Sequence, residues 1–195
     1  PLWMARQLCP AIIFVPPHYD LYLKYSQIAR EIYSEYTDQV EPFGLDECWL
    51  DVTGSTALYG NGKKIADKLR QRIKFELGVT VSVGVSYNKI FAKLGSDMKK
   101  PDATTVITSG HYKEIVWPLP VKELLYVGKA TQKQLKRYGI HTIGELANTN
   151  PDFLFRILGK NGEMLWAFAN GLDQSPVNNI GAKSLIKSIG NSTTA

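Results

Sequence analysis

The chain lacks the features on which small secreted and membrane proteins depend. Two cysteines, Cys9 and Cys48, stand far apart in 195 residues. That excludes a disulfide framework and a zinc site built on cysteine, and it fits a reducing compartment, the cytoplasm. Three histidines, His18, His111 and His141, are too scattered to gather around a metal by local spacing. The longest plainly apolar run is Ala11-Ile12-Ile13-Phe14-Val15, far short of the roughly 20 residues that span a bilayer. No charged start followed by an apolar stretch appears, so neither a signal peptide nor a membrane partner is expected. The GxSxG, P-loop and GxGxxG patterns are absent, which removes support for those hydrolase and nucleotide-binding readings. Pro1 stands where an initiating methionine belongs, as expected of a piece of a longer protein.

What is present suits a globular domain. The sequence is 44% apolar, 11% aromatic and 21% charged, which argues against disorder and supplies a core that needs no staple. The net charge of +5 is unevenly placed. Residues 1–120 hold 14 basic against 13 acidic side chains, whereas residues 121–195 hold 9 against 5. The surplus in the C-terminal part suits contact with a polyanion.

Hydrophobic periodicity divides the chain at the same place. A helix ending near Cys9 is followed by a short buried-type strand, Ala11–Val15, closed by Pro16-Pro17. Helical spacing of Leu21, Tyr22, Tyr25, Ile28, Ala29, Ile32, Tyr33 and Tyr36 predicts a helix from Tyr19 to Tyr36. Two strands, Val40–Gly44 and Cys48–Val52, flank Leu45-Asp46-Glu47. A helix with Ile65, Leu69, Ile73 and Leu77 on one face ends at Gly78. Valines 79, 81, 83 and 85 alternate with smaller residues, the period of a strand. Asn88 can cap a helix to about Met98, and Thr104–Ile107 reads as a further strand. After a helix at 111–117 and Pro118–Pro120, only short helices follow, near 121–125, 131–138, 142–148, 151–158 and 161–170. From Asp173 the chain is polar and tail-like.

Asp46-Glu47 is the sharpest chemical feature. Adjacent acids beside apolar strands are costly unless a cation neutralises them. Magnesium binds through one or two carboxylates plus substrate phosphates. Neighbours on a regular strand point to opposite faces, so both acids serve one site only at a bend, and Gly44 permits one. The alternative is a solvated acidic turn. Asp51 is read as part of a turn with Thr53-Gly54-Ser55.

The stretch Phe43-Gly44-Leu45-Asp46-Glu47-Cys48-Trp49-Leu50-Asp51-Val52-Thr53 resembles the catalytic hairpin of Y-family DNA polymerases, translesion enzymes of the ImpB-MucB-SamB type. So does the run from Val83 to Pro101, with Ser86, Asn88, Lys89, Lys93, Asp97 and Lys100 inside it. Val127-Gly128, Leu135 and Tyr138-Gly139-Ile140 resemble the family's thumb hairpin. Lys187-Ser188-Ile189-Gly190 resembles its tether to the little-finger domain. The four blocks occur in the family's order.

The resemblance implies an α+β fold. An incomplete ferredoxin-like palm, its first strand missing, would span 1–119 with the end of the fingers. A small all-helical thumb with a helix-hairpin-helix-like motif would span 120–174, and a linker 175–195. It implies template-directed addition of deoxynucleotides to a primer 3′ end, assisted by two Mg2+ ions. Asp46 and Glu47 match the family's metal-binding catalytic pair. Lys100 matches the lysine that reaches the triphosphate, although a solvated helix-end lysine is the plainer reading. Lys89, Val127, Gly128, Lys129 and Thr131 are the expected DNA contacts, with Thr131 placed to cap the helix after the hairpin. Lys133, Lys136 and Arg137 would add sequence-independent attraction. An ordinary antiparallel helix pair is the alternative. The family's hairpin is Gly-x-Gly, and here Tyr126 stands at the first glycine. Implied partners are primer-template DNA, a deoxynucleoside triphosphate and a sliding clamp reached through a C-terminal region outside this sequence. The family's first palm strand carries a further metal-binding aspartate and is not matched, so the 195 residues alone are expected to be inactive. A non-catalytic DNA-binding remnant and a palm-type nucleotide cyclase are the competing functions.

Overall fold

The computed structural model describes residues 1–182 and 190, so most of the tether block 187–190 lies outside the described residues. In chain order the elements are α1 (Leu2–Leu8), α2 (Tyr19–Ser34), β1 (Val40–Phe43), β2 (Glu47–Leu50), α3 (Thr56–Tyr59), α4 (Gly62–Leu77), β3 (Val83–Val85), α5 (Lys89–Met98), β4 (Thr104–Val106), α6 (Tyr112–Val116), α7 (Lys129–Arg137), α8 (Ile143–Ala147), α9 (Pro151–Leu158) and α10 (Lys160–Ala169). Mixed strand and helix thus give way to helices alone, as the periodicity predicts.

The strands form two separate pairs. β1 and β2 are an antiparallel hairpin with Val40 opposite Leu50 and Phe43 opposite Glu47. β3 and β4 pair in parallel, Val83 with Thr104 and Val85 with Val106. The hairpin and the parallel pair are not hydrogen-bonded to each other. Between them lies a cleft of about 810 Å3 that reaches from Asp46 and Glu47 to Val83 and Gly84. α2 and α4 cover this half through Ile32, Ile65, Leu69 and Ile73, with Tyr36 just after α2 in the same cluster.

Two strand expectations are corrected. Residues 11–15 form no strand, and Ile13 and Val15 are 85% and 80% exposed. An apolar run becomes a strand only where a neighbour accepts its backbone hydrogen bonds. The alternation over 79–86 yields a strand only at Val83–Val85, because β4 offers partners for three residues.

Local chemistry fixes the helices. Asn61 accepts from the Lys64 N–H at the start of α4, and Gly78 at φ +71° ends it. Asn88 accepts from the Phe91 N–H at 2.8 Å to start α5. α5 lies hard against β3, since a Cβ on Gly84 would fall 1.8 Å from the Ala92 carbonyl oxygen. That close approach sets where the charged face of α5 meets the hairpin.

A larger core runs through the point where the composition changes. Ile90, Phe91, Leu94 and Ile107 of the sheet half share it with Leu135, Ile143, Leu154 and Leu165 of the helical half. Trp117 Nε1 donates to the Ala169 carbonyl at 3.1 Å, and the Gly144 N–H donates to that of Trp117 at 3.0 Å. Beyond α10 the chain doubles back along the outer side of β1. The Ile180 N–H donates to the Asp38 carbonyl at 2.9 Å, and the Asn178 N–H donates to Glu41 Oε2 at 2.7 Å.

Candidate active site

The acidic pair sits at the hairpin tip. Gly44 adopts φ +78°, and residues 44–46 form the turn, with Glu47 opening β2. The positive φ at Gly44 supplies the bend that lets both acids face one cleft. α2 pins the tip: Arg30 donates to the Gly44 carbonyl at 3.2 Å, and the Ser26 hydroxyl donates to that of Leu45. Asp46, Glu47, Lys93 and Lys100 all line the cleft.

A chain of ion pairs crosses it. Lys93 Nζ lies 3.1 Å from Glu47 Oε1 and also contacts Asp97, while Lys100 Nζ reaches Asp97 Oδ1 at 2.8 Å. Burial presses the Lys93 ammonium towards deprotonation, but the bonds to Asp97 and Glu47 outweigh it and raise its pKa. Burial likewise raises the Asp97 carboxyl, and the bonds from Lys100 and Lys93 overcome this to hold it below the usual range. Lys93, Asp97, Arg30 and Ser26 are the residues that sequence reasoning did not assign. The i,i+4 spacing of Lys93 and Asp97 and the i,i+3 spacing of Asp97 and Lys100 were the available signal.

The donors at the tip are carboxylate oxygens next to a lysine, the donor type a hard cation with phosphates takes. Among the described residues no three Asp, Glu, His or Cys side chains gather into a metal cluster. The pair therefore fits such a cation as part of a set completed by other oxygens.

Lys89 is corrected. Its side chain is only 10% exposed, and its ammonium pairs with Glu41 at 2.6 Å and lies 5.1 Å from the centre of the Trp49 ring. The same residue's carbonyl accepts from Trp49 Nε1 at 3.0 Å. Lys89 thus ties α5 to the hairpin and has no free charge for a DNA phosphate. Ser86 donates to the Ile107 carbonyl and Asn88 to that of Gly171, structural bonds in both cases. The Thr53 N–H donates to Asp51 at 2.9 Å, the turn expected of that residue.

In the helical half, Val127 is buried and Gly128 is the N-cap of α7, with no side chain capping it. Thr131 is the third residue of that helix and not its cap, a second correction. The helix starts earlier because Gly128, in extended conformation at φ −75° and ψ 174°, already turns the chain into it. The first-turn N–H groups are left for an outside acceptor, at the positive end of the helix dipole. Lys129 is exposed in that first turn, and Lys133, Lys136 and Arg137 are exposed further along the helix, the last two in its final turn. Tyr126 takes φ +69°, a left-handed conformation that favours glycine, with its side chain directed outward at 54% exposure.

No helix among the described residues is long and apolar enough to cross a membrane. Residues 1–97 match the impB/mucB/samB family, and residues 122–173 match the thumb domain of DNA polymerase iota. DNA polymerase IV of Acetivibrio thermocellus is 60% identical over 194 residues, covering 100% of this chain and 49% of the relative. DNA polymerase IV 1 of Bacillus subtilis is 42% identical, covering 100% and 46%. The crystal structure of DinB from Sulfolobus solfataricus superposes with a TM-score of 0.83 at 30% identity, over 92% of this chain and 53% of that one. An insertion ternary complex of Dbh DNA polymerase gives 0.81 at 30% identity, over 91% and 52%. The chain spans about half the length of the curated relatives it matches. The matched palm and thumb segments, the names of these relatives and the shared fold make the chain a member of the Y-family DNA polymerases, the ImpB/MucB/SamB group.

Proposed function

We propose that this chain is the palm and thumb part of a lesion-bypass DNA polymerase, acting in the cytoplasm on primer-template DNA and a deoxynucleoside triphosphate. The observation that carries the reading is the glycine-bent tip, with Asp46 and Glu47 lining the same cleft as Lys100. Asp46 and Glu47 would hold magnesium, and Lys100 would hold the triphosphate as a flexible point charge. Bound Mg2+, two ions in this reading, supplies activation of the primer hydroxyl and neutralisation of the leaving pyrophosphate. The N-terminus of α7, with Lys129, would grip a backbone phosphate without reading bases, and Lys133, Lys136 and Arg137 would add long-range attraction. In the same reading the cleft between β2 and β3 seats a further strand that brings a third acid. The 195 residues by themselves are then inactive, and a sliding clamp is engaged from outside them.

A non-catalytic DNA-binding remnant has one observation in its favour: Glu47 is already paired with Lys93. Primer extension separates the two. With sequence restored upstream and downstream, the chain extends a primer in magnesium, and Asp46→Asn with Glu47→Gln abolishes extension while DNA binding persists. Equal extension by that variant overturns the site assignment, and no extension by the restored parent favours the remnant.

A further inference from the structure

We infer that Ser26 and Arg30 are positioning residues: from α2 they clamp two peptide planes of the hairpin tip and so set the direction in which Asp46 leaves the backbone. This rests on the reading of Asp46 as a magnesium ligand. Glu47 has anchors of its own, since it opens β2 opposite Phe43 and its carboxylate meets Lys93. Asp46 stands outside the strand ladder, exposed in the turn. Ser26 and Arg30 lie four residues apart on one face of α2, and both are half-buried. The Ser26 hydroxyl donates to the Leu45 carbonyl. Arg30 Nη2 donates to the Gly44 carbonyl at 3.2 Å and to that of Leu45 at 3.4 Å. Arg30 Nε is buried without an acceptor, one of two such side-chain atoms among the described residues. A buried donor left unpaired costs stability, so stability alone does not account for a guanidinium at this place.

A peptide unit is planar, so holding its carbonyl oxygen holds the whole unit. The Gly44 carbonyl belongs to the unit that carries the Leu45 N–H. The Leu45 carbonyl belongs to the next, which carries the N–H and Cα of Asp46. Glycine at 44 adopts φ +78° at no steric cost, and for the same reason it permits other turns. Gly44 therefore makes the bend possible, and α2 selects it. The helix is a firm base for this, because Ile28, Ala29 and Ile32 pack into the cluster shared with α4. Without the clamp the planes on either side of Leu45 can turn, and Asp46 moves with them while the Glu47 backbone stays in register. A displacement of about 1 Å at a reacting centre costs roughly a hundredfold in rate. The effect falls on turnover and not on substrate affinity, because Lys100 and the N-terminus of α7, the proposed phosphate contacts, lie elsewhere in the fold.

The test uses the chain with sequence restored upstream and downstream. Backbone order at the tip is read by 15N relaxation of selectively labelled glycine and leucine amides, without metal or nucleotide. Turnover is read by single-turnover primer extension in magnesium. Ser26→Ala removes one donor without changing charge, Ser26→Thr keeps the hydroxyl, and Arg30→Met removes the planar fork and the charge together. Ser26→Ala and Arg30→Met should each lower the maximal incorporation rate about tenfold, with the nucleotide dependence and DNA affinity of the parent. Both should add microsecond-to-millisecond exchange at Gly44 and Leu45 and leave Leu50 as in the parent. Ser26→Thr should restore both the rate and the quiet tip. Unchanged relaxation at Gly44 and Leu45 in both variants overturns the clamp, whatever the rate. A loss in Arg30→Met with none in Ser26→Ala also overturns it, since the charge of Arg30 then acts alone. Ser26→Ala decides the matter by itself if Arg30→Met does not fold. Asp46→Asn with Glu47→Gln extending as well as the parent overturns instead the reading of the acids, while the relaxation of Gly44 and Leu45 still decides the clamp.

Discussion

The sheet half and the helical half close their interiors in different ways. From α6 onward the helices pack on one another and on α5, and Leu135, Ile143, Leu146, Leu154 and Leu165 are fully buried. Their ends are finished as well: Thr142 and Glu145 form a reciprocal capping box, and Asn150 caps α9 behind Pro151. The sheet half has a smaller buried cluster, a cleft between its strand pairs, and an exposed apolar surface on α1 and α2 that includes Trp3, Leu23 and Tyr19. It is braced instead by charge: Arg70 and Lys74 on Asp102, Arg72 on Glu35 and Glu76, and Lys89 on Glu41. The difference teaches that the helical half is closed by apolar packing, while the sheet half keeps an open cleft between its strand pairs.

The strongest way to break that contrast is through α5, which belongs to the sheet half by sequence and to the helical core by packing. Phe91→Ala should cost about 3–5 kcal/mol in urea unfolding and destabilise both halves together. Ile73→Ala, in the smaller cluster, should cost about 2–4 kcal/mol and be felt first by Trp49 fluorescence. A Phe91→Ala loss confined to the sheet half would show that the halves are independent.

A smaller effect tests the bracing by charge. Burial pushes the Glu41 carboxyl up, but hydrogen bonds from Lys89 and Asn178 prevail and hold its pKa below the usual range. A depressed folded pKa stabilises fully above the unfolded value of about 4.3, and that contribution disappears as pH falls through the folded value. Glu41→Gln should therefore cost about 1–3 kcal/mol at neutral pH, and the difference from the parent should vanish in acid. Thermal unfolding of both proteins across pH measures it, and a difference that grows in acid would sink the assignment.

The smallest effect lies at the strained residue in the helical half. Tyr126 holds a left-handed conformation that costs a non-glycine residue roughly 1–2 kcal/mol, while glycine carries an entropy cost of its own. Tyr126→Gly should raise stability by less than about 1 kcal/mol in urea, and a loss would show that the contact of its ring with Phe168 outweighs the strain.

Much of this architecture was legible in the sequence for a local reason. The faces of α2 and α4, the caps at Asn88 and Gly78, and the acidic tip at 46 and 47 depend on residues within a turn or two of one another. What was misread depends on partners distant in the chain. Residues 11–15 have strand chemistry and no neighbour to pair with. Lys89 reads as a DNA contact in sequence, and the fold brings Glu41, 48 residues away, beside it. The polar tail read as a linker, and its docking on Gln39 and Glu41 arises from a separation of more than 130 residues. The pairing of Lys93 with Glu47 likewise joins α5 to the hairpin across 46 residues of chain.

The return of the chain along β1 has a mechanical consequence. The helical half is anchored on both sides, through residues 118–120 where it enters and through Gly171, Val177, Asn178 and Ile180 where it leaves. It behaves as a handle fixed at two points. Tension applied at the C-terminal end loads the bonds to Asp38, Gln39 and Glu41 before any of it reaches α10. The hairpin that presents Asp46 and Glu47 is thus the first rigid part to feel a pull on the tail.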